Sequence, residues 1–221
     1  MKKIFVTGAG GYIGVPLCES LLKAGHRVIA FDRFFFGREV LGAVEPQDNF
    51  TVMTGDIRDV EAGSLEGADA VIDLAGLSND ASAEIDVGLT TKINKLGGAH
   101  LAEAAKTAGV RRYIYSSSAS VYGHGQKRGL TETDECHPQT EYARSKLAVE
   151  EALRGLASPH FEPGFSDLGI AARPVGFPQK TLQRLAGGAA REFLHDDHSM
   201  DSLILGHHAL VGPITQRFCR D

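Results

Sequence analysis

The sequence predicts an α/β fold built on a doubly wound parallel sheet. Strand and helix signals alternate through roughly the first two-thirds of the chain. A glycine-rich turn, with Gly8, Gly11 and Gly14, lies between the first strand and the first helix. An acidic residue, Asp32, closes the second strand. Strands separated by helices pair in parallel through right-handed crossovers, and such sheets collect ligands at the carboxyl ends of their strands.

Residues 2–8, KKIFVTG, read as a short buried strand. A helix follows, with Ile13, Leu17 and Leu21 on one stripe and Gly25 as its stop. Residues 26–32 (HRVIAFD), 49–56 (NFTVMTGD) and 68–76 (ADAVIDLAG) supply the second, third and fourth strands. A long helix is expected over Leu89 to Ala108, closed by Gly109. Residues 111–118, RRYIYSSS, give the fifth strand, and a loop punctuated by glycine and proline runs from Gly123 to Thr140. The next helix carries Tyr142 and Lys146 and ends near Gly155. Beyond it, residues 158–180 scatter proline and glycine without clear periodicity, and residues 202–212 (SLILGHHALVG) offer one more strand.

The bulk properties narrow the function classes. Hydrophobic residues at 43% and charged residues at 23% are ordinary for a globular protein. A net charge of −5 provides no basic field for nucleic acid. No apolar run is long enough to span a bilayer, and the apolar stretch after Met1 is too short for a signal peptide, so a cytoplasmic location is expected. Cys18, Cys136 and Cys219 are odd in number and far apart, which fits reduced thiols rather than a disulfide framework or a zinc site. His195 to His198 (HDDH) and His207–His208 read as solvated polar stretches rather than metal ligands. Phe34, Phe35 and Phe36 are expected to pack as core or lid.

The turn at residues 7–14, TGAGGYIG, carries the first chemical signal. Without side chains at Gly8, Gly11 and Gly14, backbone N–H groups can approach a pyrophosphate at the helix N-terminus, and the last glycine lets that helix pack close to the sheet. Its place between a strand and a helix is the required context. The competing reading is a tight turn with no ligand. Asp32 follows Gly8 by 24 positions, where a carboxylate accepts hydrogen bonds from a ribose 2′-hydroxyl and repels a 2′-phosphate. That favours NAD over NADP, although the adjacent Arg33 partly offsets the repulsion.

The segments TGAGGYIG, Asp32, GDIRD (55–59), DLAG (73–76), SSSASVYG (116–123) and YARSK (142–146) occur in the order and spacing of the extended short-chain dehydrogenase/reductases. Within that group the chain resembles the NAD-dependent epimerase/dehydratase family, whose usual substrates are nucleotide sugars. The resemblance covers roughly residues 1–156 and implies a Rossmann-type NAD-binding domain there, with a short atypical segment at 157–221. It implies cofactor contacts from the glycine turn (Gly8, Gly11, Tyr12, Ile13, Gly14) and from Asp32 and Arg33. It adds Asp56 and Ile57 beside the adenine, and Leu74, Ala75 and Gly76 along the cofactor. Asn94 matches a structural asparagine of the family, against the plainer reading of a helix-surface amide. A homodimer is expected on the resemblance alone.

Residues i and i+4 share a helix face, so Tyr142 and Lys146 stand one turn apart. A free phenol has a pKa of about 10 and is a poor base at neutral pH. A neighbouring ammonium and an oxidised nicotinamide ring both favour the phenolate, and about 4 kcal/mol of differential stabilisation would bring it to neutrality. The resemblance implies that Tyr142 removes a proton from a substrate hydroxyl as hydride leaves the adjacent carbon. Ser118 would hydrogen-bond the substrate oxygen, and Lys146 would hold the ribose and tune Tyr142. Ser116 and Ser117 are neighbouring candidates, and the family pattern selects Ser118. At this place SSAS replaces the threonine–aspartate–glutamate of sugar 4,6-dehydratases, which removes the acid and base expected for water elimination.

The sequence thus predicts an NAD-dependent epimerase or oxidoreductase acting on a nucleotide sugar. The alternatives are a short NAD(P)H-dependent reductase and a non-catalytic dinucleotide-binding sensor. Most of the family's substrate region follows the tyrosine helix. Here residues 172–178, ARPVGFP, are the one faint echo of it. The tail is expected to be a natural short form, a truncation, or a frame shift near Pro163.

Overall fold

The computed structural model of the chain describes residues 1–42, 44, 47–78, 80–124, 130–131, 134–166 and 172–173. The histidine pairs, the strand expected at 202–212, Cys219 and residues 174–178 of the ARPVGFP stretch lie outside the described residues. One seven-stranded sheet organises the molecule, in the order β3-β2-β1-β4-β5-β6-β7. Its strands are β1 (Lys3–Thr7), β2 (Arg27–Asp32), β3 (Phe50–Thr54), β4 (Ala70–Asp73), β5 (Arg112–Ser116), β6 (Glu162–Ser166) and β7 (Ala172–Arg173). All pairings are parallel except β6 with β7. The order reverses between β1 and β4, which is the switch point where doubly wound sheets bind ligands.

The central strands read as apolar runs because both faces are covered. Successive side chains alternate between two cores. Ile4, Val6, Val28, Ala30, Ile72 and Ile114 point to one face, where they meet Cys18, Leu21 and Leu22 of helix α1 (Gly14–Lys23). Phe5, Ile29, Phe31, Val71, Tyr113 and Tyr115 point to the other. There they meet Leu101, Ala102 and Ala105 of α4 (Gly98–Thr107) and Val149 and Leu153 of α5 (Glu141–Leu156). Each large side chain covered in this way contributes roughly 2 kcal/mol.

The five strands expected from sequence are present, and a sixth parallel strand joins them. Residues 158–180 showed no clear periodicity, yet Glu162–Ser166 pairs with β5 in register from Arg112↔Glu162 to Ser116↔Ser166. The alternation is there: Phe161, Pro163 and Phe165 are buried on one face, with Glu162 and Gly164 between them. Proline and glycine at two of five positions mask it.

The long helix also departs from a uniform spiral. It begins as α3 (Val87–Thr90), widens to a π-helical stretch at Thr91–Gly97, and continues as α4. A shorter helix, α2 (Asp80–Ala83), precedes it. The widened stretch carries Asn94, which is 4% exposed and therefore not the surface amide of the plainer reading. π-helical insertions of this kind are frequent at functional sites.

Two glycines fix the turn between β1 and α1. Gly8 has φ +65°, and a Cβ there would lie 2.9 Å from the carbonyl carbon and oxygen of Leu74. A Cβ on Gly14 would lie 2.1 Å from the Gly8 carbonyl oxygen. Helix α1 therefore reaches the sheet only because position 14 has no side chain. Gly14→Ala is expected to destabilise the protein by about 3 kcal/mol, the scale of forced overpacking. A urea unfolding curve measures it, and an unchanged midpoint would contradict this packing.

Candidate functional site

The carboxyl ends of β1 to β5 bring the sequence-predicted residues to one edge of the sheet. At the switch point the glycine turn faces the exit of β4. The Gly11 N–H bonds the Gly8 carbonyl at 3.0 Å, and Gly8 lies against the backbone of Leu74 and Ala75. Tyr12 and Ile13 are 61% and 41% exposed at the head of α1. The helix has no capping side chain and no acidic residue in its first turn, so nothing anionic of its own competes for its N-terminus. Gly76 follows, closed over by Asn94: Oδ1 accepts the Leu77 N–H at 2.7 Å and Nδ2 donates to the Leu77 carbonyl at 2.9 Å.

Beneath the turn lies a buried polar knot. Asp73, fully buried at the end of β4, accepts the Thr7 hydroxyl at 2.6 Å and the Tyr113 hydroxyl at 2.8 Å. Thr7 Oγ1 in turn accepts the N–H groups of Leu74 and Ala75, at 3.2 and 3.3 Å. Three strands, β1, β4 and β5, are thereby tied at the height where the turn begins. Burial pushes the Asp73 carboxyl above the usual carboxylate range, against the two hydroxyl bonds and the charge of Lys146. Burial, and then Asp73 itself, pushes the Tyr113 phenol well above its ordinary value and keeps it a donor.

At the β2 and β3 end, both Asp32 oxygens face backbone N–H groups, Gly10 at 3.0 Å and Phe34 at 2.6 Å. Asp56 accepts Arg58 through its backbone N–H (2.9 Å), Nε (3.0 Å) and Nη2 (2.6 Å). Arg33 reaches the same carboxylate at 3.2 Å. The Arg58 side chain is the main reason the Asp56 carboxyl is held below the ordinary range, with Arg33 adding its charge. Ile57, 5% exposed, belongs to the core under this edge. Phe34 is partly buried against the α1-side core, while Phe35 and Phe36 are 42% and 56% exposed.

The β5 end carries the third group. Ser118 caps the 3₁₀ turn Ala119–Tyr122; its Oγ accepts the Ser120 N–H at 3.2 Å and the Ser120 hydroxyl at 2.9 Å. That turn packs on α5. The start of α5 is pinned: Thr140 caps it through the Ala143 N–H (3.1 Å) and donates to Asp80, and the Glu141 N–H donates to Glu84 at 2.7 Å. Burial alone would raise the Glu141 carboxyl, but hydrogen bonds from Thr91, Arg144 and Ser145 outweigh it and hold the group low. Fixed in this way, α5 sets Tyr142 half-buried and Lys146 only 6% exposed. The Lys146 ammonium donates to the Ser116 carbonyl at 2.7 Å and lies 4.7 Å from the Tyr115 ring centre and 5.6 Å from that of Tyr142.

Sequence reading missed two supports. One is the Thr7–Asp73–Tyr113 knot. The other is Glu150, fully buried, which accepts Ser117 Oγ at 2.5 Å and Arg154 Nη2 at 2.7 Å. Tyr142, Lys146, Glu150 and Arg154 recur every four residues on one helix face, and that spacing was a visible signal. Among the described residues no cluster of histidine, cysteine and carboxylate side chains is arranged to hold a metal, Cys18 and Cys136 are not joined in a disulfide, and no helix is long and apolar enough to cross a membrane.

Comparison with known proteins gives a consistent neighbourhood. Residues 4–161 match the model of the NAD dependent epimerase/dehydratase family. A UDP-glucose 4-epimerase of Mycolicibacterium smegmatis is 34% identical over 156 residues, which is 68% of this chain and 50% of that protein. One from Neisseria meningitidis serogroup C is 33% identical over 211 residues, or 86% of this chain and 62% of that protein. The solved UDP-Glc/GlcNAc 4-epimerase of Campylobacter jejuni superposes with a TM-score of 0.70 at 27% identity, covering 75% of this chain and 52% of that one. The dTDP-glucose 4,6-dehydratase DesIV of Streptomyces venezuelae, solved with NAD and TYD bound, gives 0.68 at 27% identity over 74% and 54%. The chain spans about half the length of the curated relatives it matches.

Asp73→Ala leaves two buried hydroxyls without their acceptor and is expected to cost on the order of 3 kcal/mol in urea unfolding. A loss below about 1 kcal/mol would show that the knot does not hold the strands. Asp56 also gives the fold an acid dependence. A carboxyl lowered in the folded state stabilises fully above its unfolded pKa of about 4, and that stability drains away as pH falls through the lower folded value. Asp73, raised by burial, acts in the opposite sense. Unfolding midpoints measured at pH 5 and pH 3 should therefore fall less steeply for Asp56→Asn than for the unmodified protein.

Proposed function

The chain belongs to the NAD-dependent epimerase/dehydratase family, and from that premise we propose that it binds NAD along the carboxyl edge of its sheet and epimerises a nucleotide sugar, with Tyr142 as the base. The observation that carries this reading is the Lys146 ammonium, buried between the Ser116 carbonyl and the Tyr142 ring at the same edge as the glycine turn. The residues fit the cofactor. The glycine turn, where a Cβ at Gly8 or Gly14 would strike the backbone of Leu74 or of Gly8 itself, lies beside an uncapped helix start, where backbone N–H groups suit a pyrophosphate. Asp32 stands on β2 and Ser116 on β5, three strand steps or about 14 Å apart, a span suited to an extended dinucleotide.

When bound, NAD supplies a hydride acceptor that can return what it takes. The remaining work falls to this chain. Tyr142 Oη takes the proton from the sugar hydroxyl whose carbon is oxidised. The Lys146 charge lowers the cost of the phenolate, more effectively in a site with little water than at a surface. Ser118 Oγ donates a hydrogen bond to the same sugar oxygen and steadies its developing charge. Return of the proton from Tyr142 completes the cycle, with no net redox change. The names of the relatives support a UDP-linked hexose as the substrate to try first.

The test is conversion of UDP-glucose to UDP-galactose by the full chain with NAD, followed by chromatography. Turnover is expected in the unmodified protein. Tyr142→Phe should lose about 10²–10⁴-fold in kcat, the scale of general-base catalysis, with NAD affinity little changed. Near-normal turnover in that variant would remove Tyr142 from the mechanism. Tight NAD binding without turnover of any nucleotide sugar would favour the non-catalytic dinucleotide-binding reading.

A further inference from the structure

The edge at β2 and β3 holds four charged side chains in balance: Asp32 and Asp56 against Arg33 and Arg58. Their pairing is not symmetric. Asp32 directs both oxygens at backbone, to the N–H groups of Gly10 and Phe34. It neutralises neither arginine by a direct ion pair among the described contacts. Asp56 instead serves both. It takes Arg58 through the backbone N–H, Nε and Nη2, and it takes Arg33 Nη1 at 3.2 Å through the oxygen that also bonds Arg58 Nη2. The other side of Arg33 is committed as well, since its guanidinium carbon lies 4.5 Å from the centre of the Phe35 ring. The Asp56 side chain is 13% exposed and that of Arg33 41%, so the carboxylate is fixed and the arginine is the member of the pair that solvent and ligand can reach.

We propose that Asp56 determines the choice between NAD and NADP by keeping the Arg33 guanidinium from the ribose 2′ position beside Asp32. The proposal rests on the dinucleotide reading above. NAD carries a 2′-hydroxyl there and NADP a dianionic phosphate. A planar guanidinium matches a phosphate bidentately, so a released Arg33 is the side chain that would accept NADP. Held on Asp56 and Phe35, Arg33 is engaged away from the 2′ position, and the Asp32 carboxylate meets a 2′-phosphate without a guanidinium beside it. Asp32 alone therefore does not set the preference; Asp56 makes its repulsion effective.

Calorimetric titrations of the full chain with NAD+ and with NADP+, at one ionic strength, test this. The proteins are the unmodified chain, Asp56→Asn, and Asp56→Asn combined with Arg33→Ala. Asparagine keeps an oxygen for the Arg58 backbone N–H, and Asp56→Ser gives the same readout if the first variant folds poorly. The two nucleotides share their adenine, so any general damage at residue 56 cancels in the ratio of their dissociation constants. The unmodified chain should prefer NAD+. Asp56→Asn should move the ratio toward NADP+ by at least about tenfold, the worth of one charge-assisted hydrogen bond, and removal of Arg33 should reverse the gain. An unaltered ratio in Asp56→Asn overturns the proposal while leaving the dinucleotide reading intact. So does a gain that persists without Arg33, because it would come from the lost negative charge alone. Failure of every protein to bind either nucleotide overturns the dinucleotide reading and the proposal with it.

Discussion

Lys146 sets a full positive charge where little water reaches, and the sheet edge is organised around that fact. An isolated buried ammonium is costly, and a chain tolerates one only when neighbours replace the lost hydration. Here the Ser116 carbonyl accepts from it at 2.7 Å, the rings of Tyr115 and Tyr142 offer their negative faces, and the charge acts on the buried Asp73 carboxyl. Each of those partners is itself fixed. Ser116 ends β5, Asp73 ends β4 and is tied to β1 through Thr7, and α5 is pinned at its start by Thr140 and Glu141. The ammonium thus joins helix to sheet and sets the rotation of α5. Tyr142, one turn away, follows from that rotation.

The two ends of the edge are built on different electrostatic principles. At β5 a buried cation is held mainly by dipoles and ring faces, so its field extends toward the neighbouring phenol. At β2 and β3 two carboxylates and two arginines sit closer to solvent and largely cancel. Between the two ends lie the glycine turn and the start of α1, which has no side-chain cap and no acidic residue in its first turn. From β5 to β2 the edge runs from the buried Lys146 ammonium, past the glycine turn, to the Asp56 ion pairs.

Much of this was legible in the sequence because its carriers are local. Four of the five expected strands announced themselves as apolar runs, since burial on both faces leaves little room for polar residues, and the edge strand β3 showed itself through Phe50, Val52 and Met53 although none of its residues is fully buried. The glycine turn, Asp32 and the Tyr142–Lys146 spacing were likewise readable within short windows. What escaped depends on distant partners or on masked patterns. Asp73 meets residues 66 positions before it and 40 after it, and nothing in its own neighbourhood says that it is buried. Glu150 carried no expectation from sequence, although its four-residue spacing from Lys146 placed it on the same face. Strand β6 was hidden because Pro163 and Gly164 are poor strand formers, while the alternating burial of Phe161, Pro163 and Phe165 set its place beside β5. The π-helical turn at Thr91–Gly97 has no signature in periodicity over so short a span, yet it carries Asn94 to the loop after β4.

The central claim is that one cofactor, laid along this edge, joins the glycine turn to the phenol above Lys146. A crystal structure of the full chain with NAD+ measures that directly. The account predicts a pyrophosphate on the backbone of residues 11–13 and the Tyr142 hydroxyl within hydrogen-bond reach of the nicotinamide ribose or of Lys146 Nζ. A pyrophosphate bound elsewhere, or a Tyr142 hydroxyl turned away from the edge with no space to swing back, would contradict it.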